Sequence, residues 1–315
     1  FVADGCKKCG EMVFDDLVNS ADAGPPPGGV APDDRAAIIY TSGTTGKPKG
    51  AMLSQANYIW DARAVVRSAE MTPEDRFMCI LPLFHVNGQV VTVLAPLCAG
   101  ASMVLVPQFS ASKFFETVDR FKPTAFSGVP TIYAMLLNTP GTEQYDLASL
   151  RFSICGAAPM PVEVFNRFEE KFTAKILEGY GLSEGTCASS INPLDGTRKV
   201  GSIGIPIHPE QDMQILDADN NELPRGEHGE ICLMGPNVMQ GYYNNPDATA
   251  DAIRDGWLHT GDMGYMDEDG YFYISGRIKE MIIRGGENIY PKEIEEVLYT
   301  HPAVAEAAVI GVHDD

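Results

Sequence analysis

Residues 38 to 54 read IIYTSGTTGKPKGAMLS. Apolar residues run into a string made almost wholly of Thr, Ser, Gly, Lys and Pro, and apolar residues then resume. The stretch AAIIY (36–40) reads as a buried strand. The loop after it offers backbone N–H groups, hydroxyls and ammonium ions to one oxyanion, which is how a polyphosphate is held. Gly43, Gly46 and Gly50 permit positive φ and close backbone approach. Ser42, Thr44 and Thr45 can donate hydrogen bonds, and Lys47 and Lys49 supply positive charge. A Walker A loop needs four residues between its glycines and Ser or Thr after the lysine. Here two residues separate Gly43 from Gly46, and Pro48 comes after Lys47, so the loop is of another kind.

The rest of the composition fits a small anionic ligand in a folded protein. The chain has 315 residues, 44% of them hydrophobic and 21% charged, enough for one large domain or two ordinary ones with a sizeable core. Its net charge of −20 argues against a nucleic-acid surface or an anionic membrane face, both of which need clustered Lys and Arg. An anionic substrate therefore needs a local positive site. Seven scattered cysteines do not make a secreted disulfide framework, and the expected compartment is the reducing cytoplasm. Cys6 and Cys9 form a single C-x-x-C, half of what a structural zinc site requires. Residues 86 to 107 carry no charge, but Asn87, Gly88, Gln89, Pro96 and Gly100 interrupt them. A helix over about 89–98, a Gly turn and a buried strand SMVLVP account for this run better than a membrane span.

Along the chain, a Pro/Gly-rich connector at 21–34 gives way to alternating strands and amphipathic helices. Residues 54–69 read as a helix with Ser54 as N-cap. RFMCILPL, TAFSGVP, RFSICG and AKILEGYG read as strands, and ASKFFETVDRF, TIYAMLLN and PVEVFNRFEEKF as helices. This alternation predicts an α/β architecture with parallel strands. After residue 195 the texture becomes β-rich. DMQILDADNNELPRGEHGEICLMG holds two strands, and GYMDEDGYFYISGR a hairpin turning at Asp269-Gly270. A last helix at 291–301 starts with Pro291, and AEAAVIGV reads as a final strand.

The string YTSGTTGKPKG resembles the phosphate loop of the adenylate-forming (AMP-binding) superfamily, which includes acyl-CoA synthetases, luciferases and peptide-synthetase adenylation domains. EGYGLSEG (178–185) is similar to the adenine and magnesium motif of that superfamily. GWLHTGDMGYMDEDGYFYISGRIKEMIIRGGENIYPKEIEEVL (256–298) resembles its ribose-binding and hinge motifs. The motifs occur in the family's order and cover essentially the whole chain. The resemblance implies a large AMP-binding domain over 1–277, with α/β layers and a β-rich distorted barrel. It also implies a hinge and the start of a small α+β domain over 278–315.

The implied reaction begins when a carboxylate attacks the α-phosphate of ATP and expels pyrophosphate, two anions brought together by magnesium and fixed donors. Coenzyme A then attacks the acyl-adenylate, forming a thioester and releasing AMP. By resemblance, Thr41, Ser42, Gly43, Thr44, Thr45, Gly46 and Lys49 hold the β- and γ-phosphates, and Glu184 is the Mg²⁺ ligand. Ser183 keeps the hydroxyl of a commoner Thr. Tyr180 is expected to stack on adenine. Gly156, Ala157 and Ala158, with Glu178, Gly179 and Gly181, are expected to surround the nucleotide, and Asp262 and Arg277 to take the ribose hydroxyls. Lys279 occupies the hinge. Gly285, Gly286 and Glu287, in RGGENIYP, are expected to line the path of coenzyme A.

The acid itself is read from LPLFHVNG (81–88). Amino-acid-activating relatives place an Asp after the Phe, whereas here His85 comes after Phe84, which argues against an amino-acid substrate. His85 is expected to border the acyl cavity with Phe126, Gly128, Val129, Gly156 and Gly179. The segment GGENIYP tilts the reading towards a bacterial fatty acyl-CoA synthetase, with an aryl or hydroxycinnamate ligase, or a catalytically impaired adenylate-binding module, as alternatives. Only 40 residues precede Thr41, and no P-K-T-x-x-G-K-like motif comes after Lys279; Lys292, on the expected helix, is no substitute. The sequence thus reads as a fragment expected to bind adenylate and to catalyse adenylation poorly.

Overall fold

The computed structural model describes residues 24, 28–41, 48–284, 287–299, 301, 304 and 307–312. Contacts group the chain into Phe1–Asp34 and Arg35–Asp315. In the first unit the described residues include a turn in which Asp34 accepts the Ala31 N–H on its carboxylate at 2.7 Å. The second unit carries the architecture.

Strands β1 (Arg35–Thr41) and β2 (Lys49–Ser54) pair antiparallel across the glycine-rich loop, with Thr41 opposite Lys49. Helix α1 (Gln55–Ser68) begins where expected. Ser54 Oγ accepts the Asn57 N–H at 3.0 Å while Asn57 Oδ1 accepts the Ser54 N–H at 2.8 Å, a reciprocal cap. Next come β3 (Arg76–Cys79) and helix α2 over residues 86–98, in which α-helical turns at Val86–Gln89 and Ala95–Cys98 flank a π-helical stretch at Val90–Leu94. The chain continues through β4 (Ser102–Leu105), α3 (Ala111–Phe121), β5 (Ala125–Gly128), α4 (Pro130–Leu137), β6 (Phe152–Cys155), α5 (Val162–Phe172) and β7 (Lys175–Tyr180). Short strands β8 (Ser190–Ile191) and β9 (Ile205–Pro206) complete a seven-stranded sheet of order β4-β3-β5-β6-β7-β8-β9. Its first five strands are parallel and its last two pairings antiparallel.

Both faces of the inner parallel strands β3, β5, β6 and β7 are buried, so neighbouring residues on a strand enter different cores. Phe77, Phe152 and Leu177 face the core shared with α1 and α2. Met78, Phe126 and Ile176 face a second core, where Phe114 and Phe115 of α3, Tyr133 of α4 and Phe168 and Phe172 of α5 pack together. The aromatic residues of α3 and α5 recur at helical spacing, and each helix ends on a left-handed residue, Lys122 (φ 49°) and Thr173 (φ 58°).

The β-rich part contains β10 (Asp212–Leu216), β11 (Gly229–Met234), β12 (Gly241–Tyr242), helix α6 (Pro246–Ala252), β13 (Ile253–Arg254), β14 (Trp257–Met266) and β15 (Phe272–Arg277). Strand β12 joins β2, and the others form one antiparallel sheet. The β14–β15 hairpin turns at the expected place, with Gly270 at φ 85°. Strands β16 (Ile282–Arg284) and β17 (Glu287–Ile289) and helix α7 (Pro291–Tyr299) come last.

Four expectations need correction. AAIIY is a strand but not a buried one: every residue of β1 is half-buried or exposed, with Tyr40 65% exposed. RFMCILPL is a strand only to Cys79, because the backbone turns at Pro82, whose carbonyl takes the His85 N–H at 3.1 Å. SMVLVP is not buried: as the outer strand of its sheet, β4 leaves Met103 37% and Leu105 54% exposed. AEAAVIGV is not a strand among its described residues, 307–312. The Val309 N–H goes to the Glu295 carboxylate at 2.8 Å rather than to a neighbouring strand. Among the described residues no helix is long and apolar enough to cross a membrane, and Cys79, Cys98, Cys155, Cys187 and Cys232 are free thiols.

Candidate functional site

Parallel strands present their carboxyl ends to one side, and in open α/β sheets that is where ligands bind. Here the ends of β6 and β7 open into two cavities that share the wall formed by Ala157 and residues 179–182. The first, about 300 Å³, is polar and charged. Glu178, Asp262, Arg277, Glu280 and Lys292 line it together with Ala157, Ala158 and Pro159. The second, about 260 Å³, is lined by apolar side chains of α1, α2 and β6, with His85, Asn87, Val129, Gly156 and Ser183. No Lys, Arg, Asp or Glu lines it among the described residues.

In the charged cavity, hairpin register does what sequence spacing cannot show. Asp262 on β14 lies opposite Arg277 on β15, and Arg277 Nε meets Asp262 Oδ1 at 3.0 Å. The Tyr180 hydroxyl donates to Asp262 Oδ2 at 2.7 Å. Burial pushes the Tyr180 phenol well up, helped by the Asp262 charge, so Tyr180 stays protonated and donates. Burial also raises Asp262, against the hydrogen bond from Tyr180 and the Arg277 charge. The stretch of β14 presenting Asp262 is held by Glu230, whose Oε1 accepts the Gly261 N–H at 2.8 Å while its Oε2 lies 2.8 Å from His259 Nδ1. Glu178 accepts the Gly201 N–H at 2.9 Å, and burial raises its carboxyl to about 7. Lys292 donates to the Ile274 carbonyl at 2.8 Å. Backbone strain marks the wall itself, with Ala157 at φ 69°.

A second cluster lies at the root of the glycine-rich loop. The hydroxyls of Thr41 and Tyr242 donate to Glu184 Oε1 at 3.2 and 2.8 Å, and Lys49 Nζ stands 4.3 Å from the centre of the Tyr242 ring. The structure thus brings Thr41, Lys49 and Glu184 together across 143 residues. Glu184 Oε2 has no partner among the described residues, so a hard divalent cation, which prefers carboxylate oxygen, fits there. Sequence reasoning does not find Tyr242. Its hydroxyl is raised by burial and by the Glu184 charge, but a tyrosine in GYYNN carries no signal until β12 pairs with β2.

The other expected residues divide. His85, Val129, Gly156, Gly179, Gly181 and Ser183 line the apolar cavity. Phe126 and Gly128 lie behind its wall. Phe126 is fully buried, its ring 5.0 Å from that of Phe114, and Gly128 is backed by Tyr133. Lys279 is exposed in the turn after β15. Ser42, Gly43, Thr44, Thr45 and Gly46, with Lys47, Gly285, Gly286, Cys6 and Cys9, lie outside the described residues, as does the side chain of Glu287.

A charged cavity with a carboxylate–guanidinium pair is joined through one wall to an uncharged cavity. The chain belongs to the AMP-binding enzyme family, whose model matches residues 4–243, and the model of the family's C-terminal domain matches 293–315. It is 47% identical over 292 residues to sulfoacetate–CoA ligase of Cupriavidus necator, covering 92% of this chain and 56% of that protein. It is 45% identical over 284 residues to long-chain-fatty-acid–CoA ligase of Bacillus subtilis, covering 89% and 50%. The ATP-bound structure of MatB from Rhodopseudomonas palustris superposes with a TM-score of 0.87 at 38% identity, covering 95% of this chain and 59% of that one. The chain therefore spans about half the length of the curated relatives it matches.

Proposed function

We propose that this chain carries the adenylating site of an AMP-forming acid–thiol ligase, which uses ATP and magnesium to convert a carboxylic acid to an acyl-adenylate and then passes the acyl group to coenzyme A. The observation that carries the reading is the shared wall. An acid in the uncharged cavity and a nucleotide in the charged one meet at Ala157 and residues 179–182. In that arrangement Asp262 accepts the ribose hydroxyls, the backbone of 156–159 and the ring of Tyr180 enclose adenine, and Thr41 and Lys49 face the phosphates. The glycine-rich loop, Thr45 included, is assigned to the same phosphates by its resemblance. Glu184 holds the magnesium ion, which neutralises charge on the phosphates. Lys279 marks the hinge, so that 1–277 and 278–315 are the two domains, and Gly285, Gly286 and Glu287 lie on the path of coenzyme A.

The acid is a monocarboxylic acid with an apolar body. A second anionic group would be placed in a cavity that no lysine or arginine lines among the described residues, at a high desolvation cost. A fatty acid is the first choice, supported by the 45% identity to a long-chain-fatty-acid–CoA ligase, and an aryl acid the second. The test is binding of stable acyl-sulfamoyl adenosines with octanoyl, palmitoyl, benzoyl and aminoacyl arms, beside a thermal melt. Preference for an octanoyl or palmitoyl arm, with AMP and every acyl ligand weakened alike in Asp262→Ala, is the expected result. A cooperatively melting chain that binds none of them refutes the assignment, and preference for benzoyl moves it to the aryl acids.

A further inference from the structure

Asn87 is the polar side chain of the apolar cavity to which no role has yet been given. It lies in the first turn of α2, and that turn is firmly held. Gly88 sits so close to the preceding loop that a Cβ there would come within 2.6 Å of the Pro82 carbonyl oxygen. Gln89 donates to the Leu83 carbonyl at 2.7 Å and accepts from the Tyr58 hydroxyl at 2.5 Å. Thr92 Oγ1 donates to the Gly88 carbonyl at 2.7 Å. Every neighbour is tied down, yet Asn87 Oδ1 is buried with no hydrogen-bond partner, and among the described residues Nδ2 has none either. The oxygen is an acceptor, but the nitrogen is an unused donor on a half-buried side chain at the cavity wall, and a ligand that accepts hydrogen bonds can take it.

The position fits a particular atom. Asn87 Nδ2 is 3.9 Å from where a Cβ on Gly156 would lie, and that same point is 3.3 Å from the Gly179 carbonyl oxygen. Gly156 lines the apolar cavity, and its neighbour Ala157 and Gly179 line both cavities. The amide therefore reaches the junction where the acid's carboxylate must meet phosphorus. A carboxylate only accepts hydrogen bonds, and no ammonium or guanidinium lines this cavity among the described residues. The hydroxyls of Tyr180 and Ser190 are already given to Asp262 and to the Ile203 carbonyl; His85 and Ser183 also line the cavity, but Asn87 Nδ2 is the side-chain donor that stands against Gly156.

We propose that Asn87 is a substrate-contacting residue whose Nδ2 donates to the carboxyl oxygen that does not attack phosphorus. This inference rests on the adenylating reading. One carboxylate oxygen uses an electron pair to form the bond to the α-phosphorus, the bond from phosphorus to the pyrophosphate oxygen breaks, and its electron pair leaves with pyrophosphate. The other oxygen becomes the carbonyl oxygen of the acyl-adenylate. A fixed donor at that atom selects the attacking oxygen and aligns it, as a preorganised dipole does without reorganising during the reaction.

The experiment pairs two ligands with three proteins. Octanoyl-sulfamoyl adenosine keeps the carbonyl oxygen, and octyl-sulfamoyl adenosine has a methylene in its place. AMP is titrated in parallel, and each protein is melted. The wild type is expected to prefer the carbonyl ligand by about tenfold. Asn87→Ala is expected to abolish that preference, and Asn87→Asp, isosteric but without the donor, to abolish or reverse it, with AMP affinity unchanged in both. A carbonyl preference that persists in either folded variant overturns the inference and leaves the adenylating reading intact. A folded wild type that binds neither AMP nor the carbonyl ligand overturns both.

Discussion

The two cavities differ in how they are made. The charged one is assembled from short local motifs whose side chains find one another across hairpins, as Asp262 and Arg277 do on β14 and β15. The apolar one is assembled from single residues of α1, α2, β6, β7 and the segment 182–191, none of which stands out alone. On the proposed reading, chemistry common to every acid is concentrated where a few side chains dictate it, and selection among acids is spread over a surface that can be repacked residue by residue. The wall between them must serve both.

The largest predicted effect therefore falls on that wall. Gly181 packs so closely that a Cβ would lie 1.5 Å from the Cys187 carbonyl oxygen and 3.0 Å from Ala188 Cα. Both obstacles are backbone, so they cannot swing aside. Gly181→Ala is expected to cost more than about 4 kcal/mol, read as a lost or sharply lowered melting transition. A variant that melts normally and keeps both ligands would show that the two cavities do not depend on a common wall.

Glu178 sharpens the contrast from the charged side. Its carboxyl is raised by burial from 4.5 to about 7. Between those two pH values the unfolded chain has lost a proton that the folded chain still holds, so stability falls as pH rises through the window and stays lowered above it. Glu178→Gln keeps an acceptor for the Gly201 N–H and removes the penalty. It is expected to match wild type below pH 4.5 and to gain about 3 kcal/mol above pH 7, measured by denaturant melts across that range. A gain independent of pH would mean that the burial penalty is not what sets this group.

Asp262→Ala comes next. It removes the partner of both Tyr180 and Arg277, and AMP affinity is expected to fall about 10- to 100-fold, in line with the loss of hydrogen bonds to a charged group. Titration of AMP and of the octanoyl-sulfamoyl ligand should show equal losses, because only the nucleotide end is touched. Unequal losses would mean that Asp262 also shapes the acid cavity through Tyr180.

The same contrast decides how much of the molecule is legible in its sequence. The α/β alternation, the Ser54 cap and the 269–270 turn are legible because each rests on local chemistry: a hydrophobic period, a capping hydroxyl, a glycine with positive φ. So is the grouping of Thr41, Lys49 and Glu184, carried by the resemblance of two motifs. Tyr242 and Asn87 are not. Tyr242 matters only because β12 pairs with β2, and Asn87 only because its neighbours use up their own hydrogen-bonding groups while it does not. Phe126 is expected in the cavity wall together with the motif residues. Strand alternation turns its ring the other way, into the aromatic core. Burial of SMVLVP fails for a related reason: a hydrophobic run fixes a strand but not whether it is central or outermost.

The smallest predicted effect is the most selective. Ala188 lines the apolar cavity, and its N–H is held at 3.1 Å by the buried Asp61 carboxyl, so the backbone there is fixed and only the side chain need change. Ala188→Leu puts three more carbons into a space of about 260 Å³. A change of one methylene in a hydrophobic pocket is worth about tenfold or more. Palmitoyl-sulfamoyl adenosine should therefore lose at least about tenfold in affinity, the octanoyl ligand less, and AMP nothing. The ordering matters more than the size. If AMP weakens in step with the acyl ligands, the two cavities are not separable, and specificity cannot be assigned to the apolar one. If the palmitoyl ligand alone weakens, the cavity ends near Ala188, and acid length is set by residues that touch neither the nucleotide nor the reacting carboxyl.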